Sequence, residues 1–128
     1  MLFAASVVIW MRIKAPSGQE ANLDGPCHFW ERVLLVRADD PDAALQKASE
    51  FGSNDAASNS VDLTDEDGNP SELIFMGVRK LQEVASDVLA SEVKTEAVEI
   101  SVSEMVVANS DDLIKLARGD SVVVEYVD

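Results

Sequence analysis

The chain contains one cysteine and one histidine, Cys27 and His28, which are adjacent. A structural zinc site needs about four nitrogen or sulfur ligands at set spacing, and the sequence has no second pair of such residues. A Cys–His nucleophile pair needs converging side chains, whereas neighbouring residues of a strand point to opposite faces. We therefore predict a loop pair with no special role, and we predict no bound metal or cofactor.

A second candidate is the acidic turn at residues 62–68, which superficially resembles a calcium-binding loop. Aligning Gly68 with the invariant glycine of an EF-hand loop places Leu63 at the first ligand position and Ile74 at the last. Neither side chain can coordinate calcium. The sequence therefore predicts a solvated hairpin turn in which Gly68 supplies a positive φ.

The third candidate is a W-x-R motif that occurs twice, as Trp10-Met11-Arg12 and Trp30-Glu31-Arg32. Both copies lie in predicted strands, where period-two alternation puts each tryptophan on the face of its own arginine. If the strands pair in a suitable antiparallel register, one sheet face carries both indoles and both guanidiniums and could hold an acidic or aromatic ligand. Alternatively, the tryptophans cover an open sheet face or a subunit interface, with the arginine stems over them. The ligand or interface candidates are thus Trp10, Arg12, Trp30 and Arg32, and no catalytic residue is assigned.

The clearest secondary-structure prediction is the strand and helix after the second tryptophan. Residues 33–36 are apolar on both alternating faces, which is typical of a strand covered on both sides. Asp40 then suits a helix cap and Pro41 suits the first helical position, so the pair Asp39 and Asp40 indicates capping better than acid–base chemistry. Gly52 is predicted to end the helix. The apolar stripe between these two ends consists of Ala44, Leu45, Ala48 and Phe51.

The rest of the chain predicts strands, turns and a further capped helix. Ser110 should cap a helix that carries Leu113, Leu116 and Ala117 and ends at Gly119. Residues 81–89 keep helical spacing and allow another short helix. Strands are predicted at residues 7–13, 61–64, 72–81, 98–107 and 122–126, with a polar loop at 15–26.

These elements predict a single α+β domain over residues 1–128. We expect a mainly antiparallel sheet of about five or six strands, with two or three helices largely on one face. The last strand–helix–strand unit is open to a right-handed parallel crossover. The alternative is a ferredoxin-like fold, because removal of the first strand leaves nearly that order of elements.

The charge balance excludes several kinds of partner. The chain has 24 acidic and 10 basic residues and a formal net charge of −14, which repels phosphate backbones and anionic lipid. We therefore expect neither nucleic-acid binding nor membrane binding. The apolar segment at residues 1–13 is too short to span a bilayer, and no Lys or Arg precedes its apolar run. Together with the single cysteine, this predicts a cytoplasmic protein.

Part of the chain is similar to a known family. The segment FWERVLLVRADDPDAALQKASEFG, followed by an acidic turn and FMGVRKLQEV, resembles small bacterial proteins grouped as domain of unknown function number 4288. The matching features are Trp10 in the first strand, a W-E-R-V run from Trp30, and the pair Gly77 and Val78. The resemblance covers about residues 8–84. It implies no established activity and assigns no catalytic residue, and the tail from residue 92 extends beyond it.

Two functional classes remain open. The favoured one is a non-catalytic binding or protein-interaction domain, whose acidic surface would mask a basic protein partner as an immunity protein or antitoxin does. The alternative is a small enzyme that uses carboxylates or the Cys27–His28 pair. We also expect a homodimer with Trp10 and Trp30 as anchors, because strongly apolar strands leave a sheet face that two-fold pairing would cover.

Overall fold

The computed structural model describes residues 1–14, 25–65, 67–84 and 97–127. Within these ranges the chain forms five strands, which pair antiparallel in one sheet, and two helices, so the predicted α+β domain is confirmed. In chain order the elements are β1 (Leu2–Ile13), β2 (Cys27–Arg37), α1 (Pro41–Asn59), β3 (Ser71–Glu83), β4 (Ala97–Val107), α2 (Ser110–Ala117) and β5 (Glu125–Tyr126).

The strand order is β3-β1-β2-β4-β5. β2 and β4, the strands that precede the two helices, are antiparallel neighbours. In the ferredoxin-like alternative the corresponding strands are parallel neighbours, so that topology is not adopted. β2 and β3 both run antiparallel to β1, which lies between them, and are therefore parallel to each other. α1 connects them across one face of the sheet.

The sheet separates two hydrophobic cores. The first core lies against α1 and contains Val7 and Ile9 from β1, whereas the second core lies against α2 and contains Val8 and Trp10. The two described helices thus lie against opposite faces, which differs from the predicted placement largely on one face. The reason is that β1 is apolar at consecutive positions, so both of its faces need cover. Neither helix is both long enough and apolar enough to cross a membrane.

The start of α1 follows the prediction, but its end does not. The Asp40 side chain accepts a hydrogen bond from the Ala43 N–H at 2.8 Å, and Pro41 occupies the first turn. The helix then continues through Gly52 to Asn59, so the prediction that Gly52 ends it is wrong. Leu45 lies off the buried stripe and is 44% exposed, contrary to its predicted core position. The buried residues are small and recur every four positions: Ala44, Ala48, Gly52 and Ala56.

A turn connects α1 to β3. The strand predicted at residues 61–64 is reduced to an isolated bridge between Thr64 and Pro70. Gly68 has a φ of 82°, which confirms the predicted positive-φ turn. The Asp65 carboxylate accepts hydrogen bonds from the backbone N–H groups of Asp67 and Asn69 and from the Asn69 amide. These bonds, led by the one from the Asn69 side chain, lower the pKa of Asp65.

β3 is longer than predicted. It continues to Glu83, so Leu81 belongs to a strand and not to the short helix allowed at residues 81–89. The part of that segment from residue 85, like residues 15–24 of the predicted polar loop, lies outside the described residues.

The last strand–helix–strand unit has the predicted elements in a different arrangement. α2 is capped by Asn109 rather than by Ser110, because the Asn109 side chain accepts from the Asp112 N–H at 2.8 Å. Gly119, with a φ of 95°, follows the helix end as predicted. β5 spans two residues and is antiparallel to β4, so the parallel crossover that the sequence left open is not formed. The apolar residues predicted to lie in this helix do so, and all three are buried: Leu113, Leu116 and Ala117.

Candidate functional site

The two W-x-R motifs lie on opposite faces of the sheet. β1 and β2 are an antiparallel pair, but the register places Ile9 beside Trp30 and Trp10 beside Phe29. Trp10 is 9% exposed in the second core, whereas Trp30 packs against the first core. The shared aromatic and cationic face therefore does not form. The burial of Trp10 also leaves it unavailable as an anchor for a partner.

Arg12 is engaged by its own neighbours. Its guanidinium carbon lies 5.4 Å from the centre of the Trp10 ring, which confirms that this tryptophan and arginine share a face. Its Nη2 lies 2.6 Å from Glu72 Oε1 on β3. Both side chains are partly exposed, so we expect this pair to tie β1 to β3 with a small effect on stability.

Arg32 connects α1, β2 and β4 on the face of the first core. Its Nη1 lies 2.9 Å from Glu99 Oε1 on β4, and its Nε lies 3.2 Å from Asp55 Oδ2 on α1. The Nε and Oδ2 atoms are both buried, and their orientation does not give a hydrogen bond. One guanidinium thus faces two carboxylates, which leaves this part of the surface net negative.

Cys27 and His28 begin β2 and lie on opposite faces, so they form neither a dyad nor the predicted loop pair. Cys27 is buried in the second core, and this burial raises the pKa of its thiol. His28 is exposed, with Nδ1 3.9 Å from Glu104 Oε1. Within the described ranges, no group of three or more His, Cys, Asp or Glu residues could hold a metal ion.

A cleft of about 250 Å³ opens beside α2 on the face of the second core. Arg79 Nε donates to Glu31 Oε2 at 2.9 Å inside it, so its central charges neutralise each other. A β-carbon added at Gly119 would lie 3.0 Å from the Arg79 carbonyl oxygen, which shows how closely the end of α2 approaches β3. The other polar lining groups are Asp120, Ser121 and Tyr126.

The outer edge of β3 is covered at its start. The Leu73 N–H donates to Ser60 Oγ at 2.8 Å, and the Ser71 N–H donates to the Leu63 carbonyl at 2.8 Å. Two shifts of register with β1 interrupt the strand further along. Occupied backbone groups are a common device that keeps an edge strand from pairing with other chains.

The outer edge of β4 is different. β5 pairs only with Met105 and Val106, and the Val127 N–H donates to the Glu104 carbonyl at 2.9 Å. No described strand pairs on that side with residues 98–103, which we call the open edge. Three β-branched side chains project from it into solvent, with exposed fractions of 40% for Val98, 55% for Ile100 and 53% for Val102.

The two faces of the open edge differ in charge. Glu99 pairs in register with Leu34, and Glu104, just beyond the open edge, pairs with Trp30, so both glutamates share the face of the first core. Glu125 on β5 lies opposite Val106 on that face. The register shift between Val33 and Leu34 leaves Ile100 as a bulge. After this bulge, the face of the second core carries serine hydroxyls.

The open edge was not identified from the sequence. Alternation correctly predicts a strand at residues 98–107, but it does not say whether a strand is central or at an edge. A signal was present, because Val98 to Ser103 alternates apolar side chains with Glu and Ser and lacks the continuous apolar run of β1.

Comparison with known proteins provides no template for this site. No family model matches the chain, and no curated protein or solved structure gives a significant match. Similarity to the bacterial family of unknown function therefore stays a prediction. The function has to be inferred from the geometry of the chain itself.

Proposed function

We propose that this protein is a non-catalytic protein-interaction domain that accepts a strand from a partner at the open edge of β4. The observation that carries this proposal is the contrast between the two sheet edges. Leu73 and Ser71 on the β3 edge have their N–H groups occupied by Ser60 and Leu63, whereas no described strand pairs with residues 98–103 of β4. Strand addition gains affinity from backbone hydrogen bonds and specificity from alternate side chains.

The exposed side chains of the open edge support the same reading. Ile100 and Val102 are about half exposed, although β-branched residues gain stability when a neighbouring strand covers them. An added strand would bury these side chains and satisfy the outward backbone groups in one step. The open edge is about as long as an average strand, so a short extended segment is enough to fill it.

The acidic surface indicates the general character of the partner. With a net charge of −14, the chain attracts basic proteins and repels nucleic acid and anionic membranes. An immunity-like or antitoxin-like role in the cytoplasm, where a basic surface of another protein is masked, fits this charge.

An enzymatic role has less support from the described residues. Cys27 is buried on one face and His28 is exposed on the other. Asp40 is occupied as a helix cap, and Glu31 is bonded to Arg79. Cys27 and His28 therefore do not converge, and Asp40 and Glu31 have other roles in the fold.

A homodimer is the second candidate, because a second copy of β4 could also fill the open edge. Two-fold pairing of edge strands is a common way to cover exposed strands. Such a dimer would use Val98, Ile100 and Val102 and not Trp10, one of the two predicted anchors, which is buried. Light scattering coupled to gel filtration distinguishes this dimer from a monomer.

The proposed function is tested with a variant that blocks only the open edge. Val102→Pro removes one outward backbone N–H, whereas Ile114→Ser removes a similarly exposed side chain from α2 and serves as the control. Wild type and Ile114→Ser should capture the same partner from cells of the source organism, and Val102→Pro should not. The purified partner should then slow amide hydrogen exchange at residues 98–103. Equal capture by Val102→Pro, or protection of another surface, would contradict the proposal.

A further inference from the structure

We infer that the strand that fills the open edge is basic and alternating, with Lys or Arg at every second position, and comes from a different protein. This inference rests on the proposed function, because it names the partner of the same edge. It depends on the distribution of charge along β4 and β5 and on the alternation of strand side chains.

Negative charge is concentrated on one face of this edge. Glu99, Glu104 and Glu125 lie on the face of the first core, and Asp55 on α1 lies beside them next to Arg32. Arg32 is shared between Asp55 and Glu99, and His28 lies 3.9 Å from Glu104. Opposite charges on neighbouring strands stabilise their pairing, and like charges destabilise it.

The geometry of the edge predicts which positions of an added strand should be basic. Side chains of an added strand alternate between the two faces whichever way the strand runs. Its residues on the first face would lie near Glu99, Val102 and Glu104, where a Lys or Arg can pair with a glutamate and lay its apolar stem over Val102. Its residues on the second face would lie near Val98 and Ser101, where Val, Thr or Ile fits better. A strand with basic residues at alternate positions satisfies both faces.

A second copy of this chain fits the edge less well. When two β4 edges pair about a two-fold axis between residues 100 and 101, with their faces aligned, Glu99 lies opposite Val102 of the other copy and diagonal to its Glu104. Both pairs of glutamates then share one face of the joined sheet, and each copy also brings a net charge of −14. Such repulsion favours a basic partner over self-pairing.

Labelled strand peptides of equal length test the inference by fluorescence anisotropy. Three peptides alternate Val with one other residue, which is Lys, Thr or Glu. A fourth, the block peptide, has the composition of the Lys–Val peptide but carries its Lys and Val residues in two separate blocks. The Lys–Val peptide should bind about tenfold more tightly than the Thr–Val peptide, and the Glu–Val peptide most weakly. The block peptide should bind poorly, because its charges do not alternate.

Variants of the chain assign the binding to the open edge. The double variant Glu99→Gln, Glu104→Gln should reduce Lys–Val binding to the level of Thr–Val, and Asp62→Asn in the distant turn should change nothing. Val102→Pro should weaken both peptides about tenfold or more. Amide exchange of the wild type with Lys–Val bound should slow at residues 98–103.

Each contrary result has a distinct meaning. If Thr–Val binds as tightly as Lys–Val and Val102→Pro abolishes both, the basic partner is wrong and the strand-accepting edge stands. If the block peptide binds as tightly as Lys–Val, attraction is by net charge alone and the inference fails. If no peptide binds and Val102→Pro has no effect in any assay, the proposed function fails too. A dimer that Val102→Pro converts to monomer would assign the edge to a second copy and overturn the inference.

Discussion

Gly52 in the middle of α1 lies directly against Phe75 on β3, so closely that an added β-carbon would be 2.6 Å from the ring carbon Cδ1. The same β-carbon would be 2.8 Å from Cγ1 of Val7 on β1. The small buried residues of α1 let the helix pack close to the sheet, and at Gly52 there is no room for a β-carbon. The free energy of unfolding should therefore depend strongly on the size of this residue.

We predict that Gly52→Ala destabilises the protein by about 1–3 kcal/mol through overpacking, although alanine is the better helix former. Ser53→Ala, at the next and exposed position of the same helix, is the control and should be neutral or slightly stabilising. Urea unfolding followed by circular dichroism measures both. A Gly52→Ala variant as stable as Ser53→Ala would show that α1 is not packed this closely.

Gly52 also shows where prediction from sequence stops. A glycine after an apolar stripe can end a helix or permit close packing within it, and both readings are consistent with residues 41–52. The choice depends on Phe75, which lies on a strand that is distant in sequence. The helix start was predictable because its cap is local, involving only Asp40 and the first turn.

Substitutions at the cap of α1, on its exposed side and in the strand before it should lower the free energy of unfolding by different amounts. Asp40→Ala should cost roughly 1 kcal/mol, because the Ala43 N–H loses its side-chain acceptor. Leu45→Ala should cost less than about 1 kcal/mol, since Leu45 is largely exposed. Leu34→Ala, in the first core, should cost about 2–5 kcal/mol. Similar losses for Leu45→Ala and Leu34→Ala in urea melts would mean that α1 is rotated about its axis.

Cys27 and His28 should behave as unrelated residues. Because burial raises the pKa of the Cys27 thiol, iodoacetamide should react slowly with the native protein at mildly alkaline pH and rapidly after unfolding in urea. His28→Gln should leave this rate unchanged, since its side chain lies on the opposite face. The double variant Cys27→Ser, His28→Gln should fold and bind no less zinc than the wild type. Stoichiometric zinc in the wild type that the variant loses would contradict this prediction.

The acidic turn should respond to pH through Asp65. Its pKa is lowered chiefly by the hydrogen bond from the Asn69 side chain, so its stabilising effect is present above the unfolded value, about 3.9. That effect is lost as the pH falls through the lower folded value. Titration of the Asp65 carboxyl by NMR should show a midpoint below the usual one, and Asn69→Ala should raise it. Asn59→Ala is the control, because its amide bonds to Asp55 and should leave the Asp65 midpoint in place.

The candidate site was harder to predict than the fold because it depends on strand register. Alternation correctly places Arg12 on the face of Trp10, since that relation is contained within one strand. Whether Trp10 and Trp30 share a face depends on the pairing of β1 with β2, and a shift by one residue would reverse the answer. The open edge depends on where β5 stops, which the apolar run at residues 122–126 does not reveal.

Neighbouring residues of β4 point their backbone N–H groups in opposite directions, which allows proline variants on the open side and on the paired side to be compared. The Val127 N–H donates to the Glu104 carbonyl, so the backbone groups of Glu104 point away from β2. In an antiparallel strand these directions alternate from residue to residue. The backbone N–H and C=O of Val102 therefore point into the open edge, and those of Ser103 point toward β2. Proline removes one N–H donor, and this loss lowers stability only where the donor makes a hydrogen bond in the folded chain.

We therefore predict that Ser103→Pro is less stable than Val102→Pro by roughly 1–3 kcal/mol, because only Ser103→Pro leaves an acceptor on β2 unpaired. Urea unfolding gives the difference, and native circular dichroism should be retained by Val102→Pro. Amide exchange adds a direct check, since the Val102 N–H should exchange much faster than the Ser103 N–H in the wild type. Strong protection of Val102 in the monomer, or equal losses for the two variants, would show that the edge at residues 98–103 is already occupied within the chain.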